Sequence, residues 1–335
     1  MKKISFLFAL CAVVVFTFCS CGGKLMTGKP GSSGKTLELM VVASNGVYQS
    51  AKHVIDTIFA VPQDGLNQVE PRFDVVQITP SNFEGNTMFQ AHRNILILEV
   101  DPQGINKVFL NYDKWSTPQA VIRIRATDMQ ALDSMLLARQ DRLLKEYYDQ
   151  DYRRMEKVFS QSPNYKIIER VKAKHGFSLA IPEEFKLATM EEVPNFSWVL
   201  KQTKDFDLFL YIYQCPTSGD KDFEEASILD NLDTMMRRYV LGPSEGSYPG
   251  TERRDFFYSR PVKLGDIDAV ETRGLWRTFN DFMGGPFVCY TFRSPDGKTV
   301  NYLTGAVYSP SQRNRMVMKR DLLMQVDGIC RSVKF

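Results

Sequence analysis

"TLELMVVASNGVYQSAKHVIDTIFA" (residues 36–60) decides how the chain is built. From Leu37 to Ala43 every residue but Glu38 is apolar. A run so continuous fits a strand covered on both faces, as in a parallel sheet. From Asn45 onward the period changes. Ala51, Val54, Ile55, Ile58 and Phe59 recur at helical spacing, the pattern of an amphipathic helix. Pro62 ends it, because a helix interior does not accommodate the proline ring. The stretches at residues 71–79 ("PRFDVVQIT"), 93–100 ("RNILILEV") and 118–126 ("PQAVIRIRA") supply further strands. In the last of these, Val121, Arg123 and Arg125 face opposite Ile122 and Ile124.

A long helix follows. Thr127 with Gln130 reads as a capping box. Apolar positions recur at Leu132, Met135, Leu136, Leu143, Leu144, Tyr147, Met155 and Phe159. Asp141 with Lys145, and Asp149 with Arg153, add favourable i,i+4 pairs, and Ser162-Pro163 ends the run. At 1.5 Å per residue such a helix reaches about 50 Å. It outruns a small sheet, so its far part leans on a second domain or a partner. A kink near Tyr147–Gln150, giving two shorter helices, is the alternative.

The second half begins after "QSPN". Strands are expected in "GFSLAIPEEFKLA" (176–188), "FSWVLKQ" (196–202) and "FDLFLYIYQ" (206–214), then a helix over 221–240. That helix has acids at its start and Arg237 and Arg238 at its end, as the macrodipole favours. Three strands, "IDAVETRGLWRTF", "GPFVCYTFRS" and "TVNYLTGAVY", are joined by the turns "NDFMGG" and "SPDGK". A closing helix carries Met318, Leu322, Leu323, Val326 and Ile329. The expected class is α+β, with two layered domains at 37–163 and 164–335. The second is a mainly antiparallel sheet packed with helices, and the long helix joins them.

"GFSLAIPEEF", the strand and helix order after it, and the ending "CRSVKF" resemble the PsbP/Mog1-like fold over roughly the last half of the chain. The whole chain also resembles a Bacteroidota lipoprotein family known as a domain of unknown function. The residues that carry this are "VEPRFDVVQI", "HRNILILEV", "RGLW" and "GGPFVCY". The first resemblance implies a scaffold for assembly and binding; the second implies no activity. Fold alone does not fix function.

The N-terminus supplies an address. Lys2 and Lys3 precede an apolar run from Ile4 to Phe18, the pattern of a secretory signal over residues 1–20. The run is shorter than the roughly 20 residues a spanning helix needs. "FCSC" resembles a bacterial lipobox, which implies cleavage before Cys21 and lipid on its sulfur. A secreted protein cut nearby without lipid is the alternative. Two or more acyl chains anchor stably where one does not. Residues 21–36 read as a Gly-, Ser- and Lys-rich tether reaching roughly 20 Å. Surface-exported Bacteroidota lipoproteins carry an acidic cluster after the cysteine, and none stands here. The expected location is therefore the cell envelope, lipid-anchored and periplasm-facing.

The formal charge is +3 and is nearly balanced once the signal lysines leave. That argues against nucleic acid as a partner. Three mature cysteines, Cys215, Cys289 and Cys330, remain beside Cys21. They read as small buried hydrophobes, or as one disulfide and one thiol. "GPSEG" (242–246) matches G-x-S-x-G, but a nucleophile elbow needs a strand before Ser244 and a helix after it. Here a helix precedes. His53, His92 and His175 share no ligand spacing, so no metal or cofactor is expected. Ser44, Asn45 and Gly46 read as a helix cap more readily than as an anion loop. Arg313, Arg315, Lys319 and Arg320 gather at a helix start, where cations oppose the dipole. They read as contacts for an anionic partner, or as internal ion pairs. In "AVETRGLWR", Gly274 leaves a gap beside Trp276 where a ligand or chain packs; an ordinary sheet–helix core is the other reading. The expectation is a non-catalytic binding or assembly module, with the membrane and an envelope protein or small ligand as partners. A serine hydrolase using Ser244 and a carrier with an aromatic pocket are the alternatives.

Overall fold

The computed structural model describes residues 28–188, 193–310 and 317–335. Cys21 and the signal therefore lie outside the described residues. The fold is α+β with two domains. The first is a five-stranded sheet in the order β2-β1-β3-β5-β4. Its strands are β1 (Glu38–Val42), β2 (Asp74–Ile78), β3 (Asn94–Val100), β4 (Lys107–Tyr112) and β5 (Ala120–Ala126). All pairs are parallel except β4–β5. The opening stretch behaves as its composition requires. Leu39 and Val41 of β1 face one core, while Met40 and Val42 face another. Helix α1 (Asn45–Ile55) is capped by the Ser44 hydroxyl, which accepts from Val47 N, and continues as one π-helical turn to Ala60.

The expected long helix is two helices. Helix α2 (Met129–Leu137) is capped by Asp128, not Thr127, and α3 (Gln140–Phe159) starts after Arg139 leaves the helical region. The physical reason lies in the apolar rhythm. Between Leu136 and Leu143 nothing is buried, so no packing holds those residues in one line. The kink considered at Tyr147–Gln150 is absent. Tyr147 is fully buried there, and its hydroxyl donates to the Ile95 carbonyl at 3.1 Å. Helix α3 touches β5 of the first domain and the closing helix of the second.

Residues 30–36 are bonded to the first domain over part of the stretch read as a free tether. Thr117 N donates to Pro30 O at 2.9 Å, and Ser33 N donates to Ala91 O at 2.9 Å.

The second domain opens with α4 (Tyr165–His175), which the sequence reading passed over. Asn164 caps its start, and Gly176 ends it at φ 81°. The extended run after it makes only bridges, such as Ser178 with Lys334, before the two-residue β6 (Lys186–Leu187). The remaining strands are β7 (Phe196–Gln202), β8 (Asp207–Pro216), β9 (Tyr248–Thr251), β10 (Tyr258–Leu264), β11 (Ile267–Phe279), β12 (Gly284–Arg293) and β13 (Thr299–Tyr308). They form an antiparallel sheet in the order β10-β11-β12-β13-β8-β7-β6, with β9 beside β11. β10 went unread because Pro261 interrupts it, which only an edge strand tolerates.

Alternation sends this sheet's residues to two cores. Phe209, Tyr211, Phe287 and Cys289 meet α5 (Glu225–Tyr239). Leu210, Ile212, Val288 and Tyr290 join the core of the first domain, together with α6 (Lys319–Arg331). One apolar core thus runs through both domains. Cys215, Cys289 and Cys330 are free thiols, with Cys289 and Cys330 buried and Cys215 half-buried.

Candidate functional site

A cleft of about 950 Å³ opens where the domains meet. Its first-domain side is the loop before β2, with Gln63, Asp64 and Arg72, and the face of α3 that carries Lys145, Tyr148 and Tyr152. On the second-domain side, Tyr258, Arg260 and Val262 point in together because strand side chains alternate. Arg320, Met324, Asp327 and Arg331 form one stripe of α6, since residues three and four apart share a helix face.

The floor is a closed ionic network. Glu271 is fully buried and accepts from three guanidiniums: Arg260 Nη2 at 2.8 Å, Arg273 Nε at 3.0 Å and Arg331 Nη2 at 2.7 Å. Asp327, also fully buried, accepts from Tyr152 OH at 2.6 Å, from Arg331 Nε at 3.0 Å, and from Arg273 and Tyr290. The Arg331 guanidinium lies over the Tyr152 ring, 4.6 Å from its centroid. Burial alone would push the Asp327 carboxyl up, but Arg273 and Arg331 outweigh it and hold it well below the usual carboxylate range. Glu271 is held down in the same way, against burial, chiefly by Arg273. Tyr152 and Tyr290 are pushed up, first by burial and then by Asp327. Neither phenol is a base near neutral pH.

Three guanidiniums stand against two carboxylates, so this network carries one excess positive charge. It reaches the open volume through Arg260, whose side chain is 56% exposed. Around it the cleft offers N–H donors and the aromatic faces of Tyr148, Tyr152, Phe256 and Tyr258. Among the described residues no histidine or serine lines it. Nor does any group of three His, Cys, Asp or Glu residues stand ready to hold a metal.

Of the described residues singled out as sites from sequence, Arg320 alone borders the cleft. Arg313 and Arg315 lie outside the described residues. Arg320 is no contact for an outside anion. It is 2% exposed, and its guanidinium is paired with Asp74 and Asp321 and bonded to the Pro71 carbonyl. Lys319 reaches Asn67 Oδ1 at 2.9 Å. The opposing dipole is answered by Glu70 of the first domain, whose carboxylate accepts from Lys319 N at 2.9 Å and Arg320 N at 2.8 Å. Glu70 caps α6 from some 250 residues away, which no local pattern reveals.

Gly274 leaves no gap either. A Cβ there would come within 2.9 Å of Phe257 Cβ and 3.3 Å of the Phe287 ring. Trp276 is buried over Gly285, its strand partner, and donates to Val307 O at 3.1 Å. Ser244 sits in the turn between α5 and β9 with its hydroxyl on Asp281. A helix precedes it and a strand follows, the reverse of an elbow. His92 is buried between Glu38 and the Asn94 carbonyl. His175 ends α4, rather than leading into a strand, and bonds Gln214 Oε1 and Ser197 Oγ, both at 2.8 Å.

Sequence reasoning missed the network itself. Strand alternation puts Glu271 and Arg273 on one face, but a charged face reads as solvated. The available signal was Asp327 and Arg331, i,i+4 on a helix whose neighbours Val326, Ile329 and Cys330 are apolar.

A profile of the family described as domain of unknown function (DUF4837) matches residues 164–332. The chain belongs to this family. A second profile, also described as a domain of unknown function (DUF8532), matches residues 32–160. Among curated proteins none matches the chain. In this DUF4837 member the cleft is therefore walled by one matched region on each side. No helix among the described residues is long and apolar enough to cross a membrane.

Proposed function

We propose that the protein is a lipid-anchored, non-catalytic binding module of the bacterial cell envelope, held by acyl chains on Cys21 and facing the periplasm. Its site is the interdomain cleft, and its ligand is a small anionic molecule, or an acidic segment of an envelope protein, with a flat apolar part. The observation that carries this reading is the floor: a rigid, buried network with one unbalanced positive charge, open to solvent through Arg260. Ligand sites are typically concave, about 300–1,000 Å³, with few polar groups fixed in place. The likeness of the second domain to PsbP/Mog1-like scaffolds and of the whole chain to Bacteroidota lipoproteins supports a binding role in the envelope.

Native mass spectrometry of protein extracted from its own envelope tests this. A co-purifying mass is expected, and it should be lost from an Arg260→Ser, Arg72→Ser double variant. No bound mass in the wild type, or a mass indifferent to both substitutions, overturns the reading.

A further inference from the structure

The segment before β1 is strapped to the body. Gly31 bridges Thr117 and Ser33 bridges His92, each in parallel register. Arg93 N donates to Ser33 O at 3.1 Å. Two arginines close over the strap: Arg154 of α3 bonds the Ser32 carbonyl and its hydroxyl, the latter at 2.8 Å, and Arg93 Nη2 reaches Gly34 O at 2.6 Å. Ser32 is 7% exposed. Gly34 sits at φ 92°, and a Cβ there would strike the His92 ring at 2.4 Å. Asp151 of α3 ties the same corner together through Arg93, Asn94 and Leu37 N.

Eight residues separate Cys21 from Pro30. Fully extended, that stretch spans at most about 30 Å. The strap therefore keeps one surface of the body within that reach of Cys21. That surface is built from the turn Thr87–Gln90 and the loop Asp113–Thr117, bonded to each other through Gln119 and Ser116. Met88 is 73% exposed on it. Lys114 lies over the Trp115 ring at 4.3 Å. Lys29, Arg153 and Lys157 also contact this loop, whose one carboxylate is Asp113. Four cations beside a tryptophan and an exposed methionine suit a bilayer interface. Aromatic rings settle at headgroup level, and each cation near an anionic surface adds attraction.

We propose that the strap orients the body on its membrane, with the 87–90 turn and the 113–117 loop against anionic headgroups. This rests on acylation at Cys21. The test uses the full lipidated chain with Cys215→Ser as background, in vesicles of zwitterionic and anionic lipid that carry a headgroup quencher. Fluorophores are placed at Met88→Cys, Lys114→Cys and, on the α5 side of the second sheet, Asp230→Cys. Quenching at 88 and 114 should exceed that at 230 at least threefold, about the contrast between a contacting and a distant site. Gly34→Val, which drives the strap out, should erase the contrast while the protein still floats with the vesicles. Arg154→Ala, which removes two strap bonds without a steric clash, should reduce it. Equal quenching at all three sites, or a contrast unmoved by both variants, overturns the orientation. Intact mass separates this from the anchor: a chain without acyl mass overturns the reading at Cys21 and the orientation with it, whereas an acylated chain without contrast overturns the orientation alone.

Discussion

Asp327 and Asp151 are both completely buried carboxylates, yet their surroundings pull in opposite directions. Asp327 meets two guanidiniums and two phenols, and its carboxyl is held low. Asp151 meets one guanidinium, one amide and one backbone N–H; burial wins, and its carboxyl is pushed up. Desolvation penalises each buried carboxylate, and the charge and hydrogen bonds of its partners decide how far the penalty is offset. The two corners differ in counter-charge: Asp327 shares two guanidiniums, Arg273 and Arg331, whereas Asp151 has Arg93. Asp327→Asn should cost about 3–5 kcal/mol, because it leaves Arg273 and Arg331 short of a counter-ion. Asp151→Asn also takes the counter-ion from buried Arg93, but removes a carboxylate that its site holds less well, and should cost less, about 1.5–3 kcal/mol, the scale of buried hydrogen bonds to a charged group. Urea unfolding of both variants checks the ranking, and equal losses would break the contrast.

The same opposition extends to pH. Burial lowers His175 to about 4. Its unfolded imidazole takes a proton near 6.5, so the unfolded chain binds the extra proton between those values. Stability is lost as pH falls through that window, by about 3 kcal/mol at 1.36 kcal/mol per unit. Asp321 is the reverse. Burial raises it to about 6 despite Arg320, so the folded chain holds the extra proton, and stability is lost as pH rises from about 4 to 6, by about 3 kcal/mol. In wild type these two contributions oppose each other. His175→Gln should become less stable as pH rises through it, and Asp321→Asn should become less stable as pH falls. Denaturant midpoints at pH 4, 5, 6 and 7 read both slopes; parallel slopes in the two variants would refute the assignment.

Local order was legible where one element decides its own fate. The continuous run in β1, the strands β11 to β13 and the helix α5 are set by neighbours in sequence, and they form where read. The α2–α3 break was missed because a capping box and spaced leucines outline a helix without showing that Leu137 to Arg142 have nothing to pack on. β4 and β10 are exposed edges with weak apolar rhythm. The cleft was illegible for a different reason. Glu70, Asp74, Glu271 and Asp327 come from distant places, and each looks like a surface acid until both domains close over it. "VEPRFDVVQI" and "RGLW" stood out as whole words in the sequence. Of their charged members, Glu70 and Asp74 bond α6 across the domains, Arg72 pairs with Asp64 at the cleft edge and Arg273 belongs to the ionic floor, while the residue picked from "RGLW" as a gap, Gly274, is packed. Gly274→Ala should cost about 1–3 kcal/mol, because the new methyl must move Phe257 or Phe287. A calorimetric melt reads it.

The smallest effect sharpens the comparison most. Arg260 and Arg273 bond the same oxygen of Glu271, at 2.8 and 3.0 Å. If the number of bonds set the energy, removing either would cost the same. Depth sets it instead. The Arg260 side chain is 56% exposed and Arg273 only 10%. Water screens the first pair to the surface scale of about 0–1 kcal/mol. Arg260→Gln should therefore lower stability by less than about 1 kcal/mol. Arg273→Gln takes the network's most deeply buried guanidinium from both carboxylates at once and should cost several times more. Raising salt should shrink the Arg260 effect and leave the Arg273 effect in place, since only exposed charges are screened strongly. Unfolding both variants at low and high salt decides it: an Arg260 loss as large as that of Arg273, and as insensitive to salt, would mean that Glu271 is anchored from the cleft rather than from beneath it.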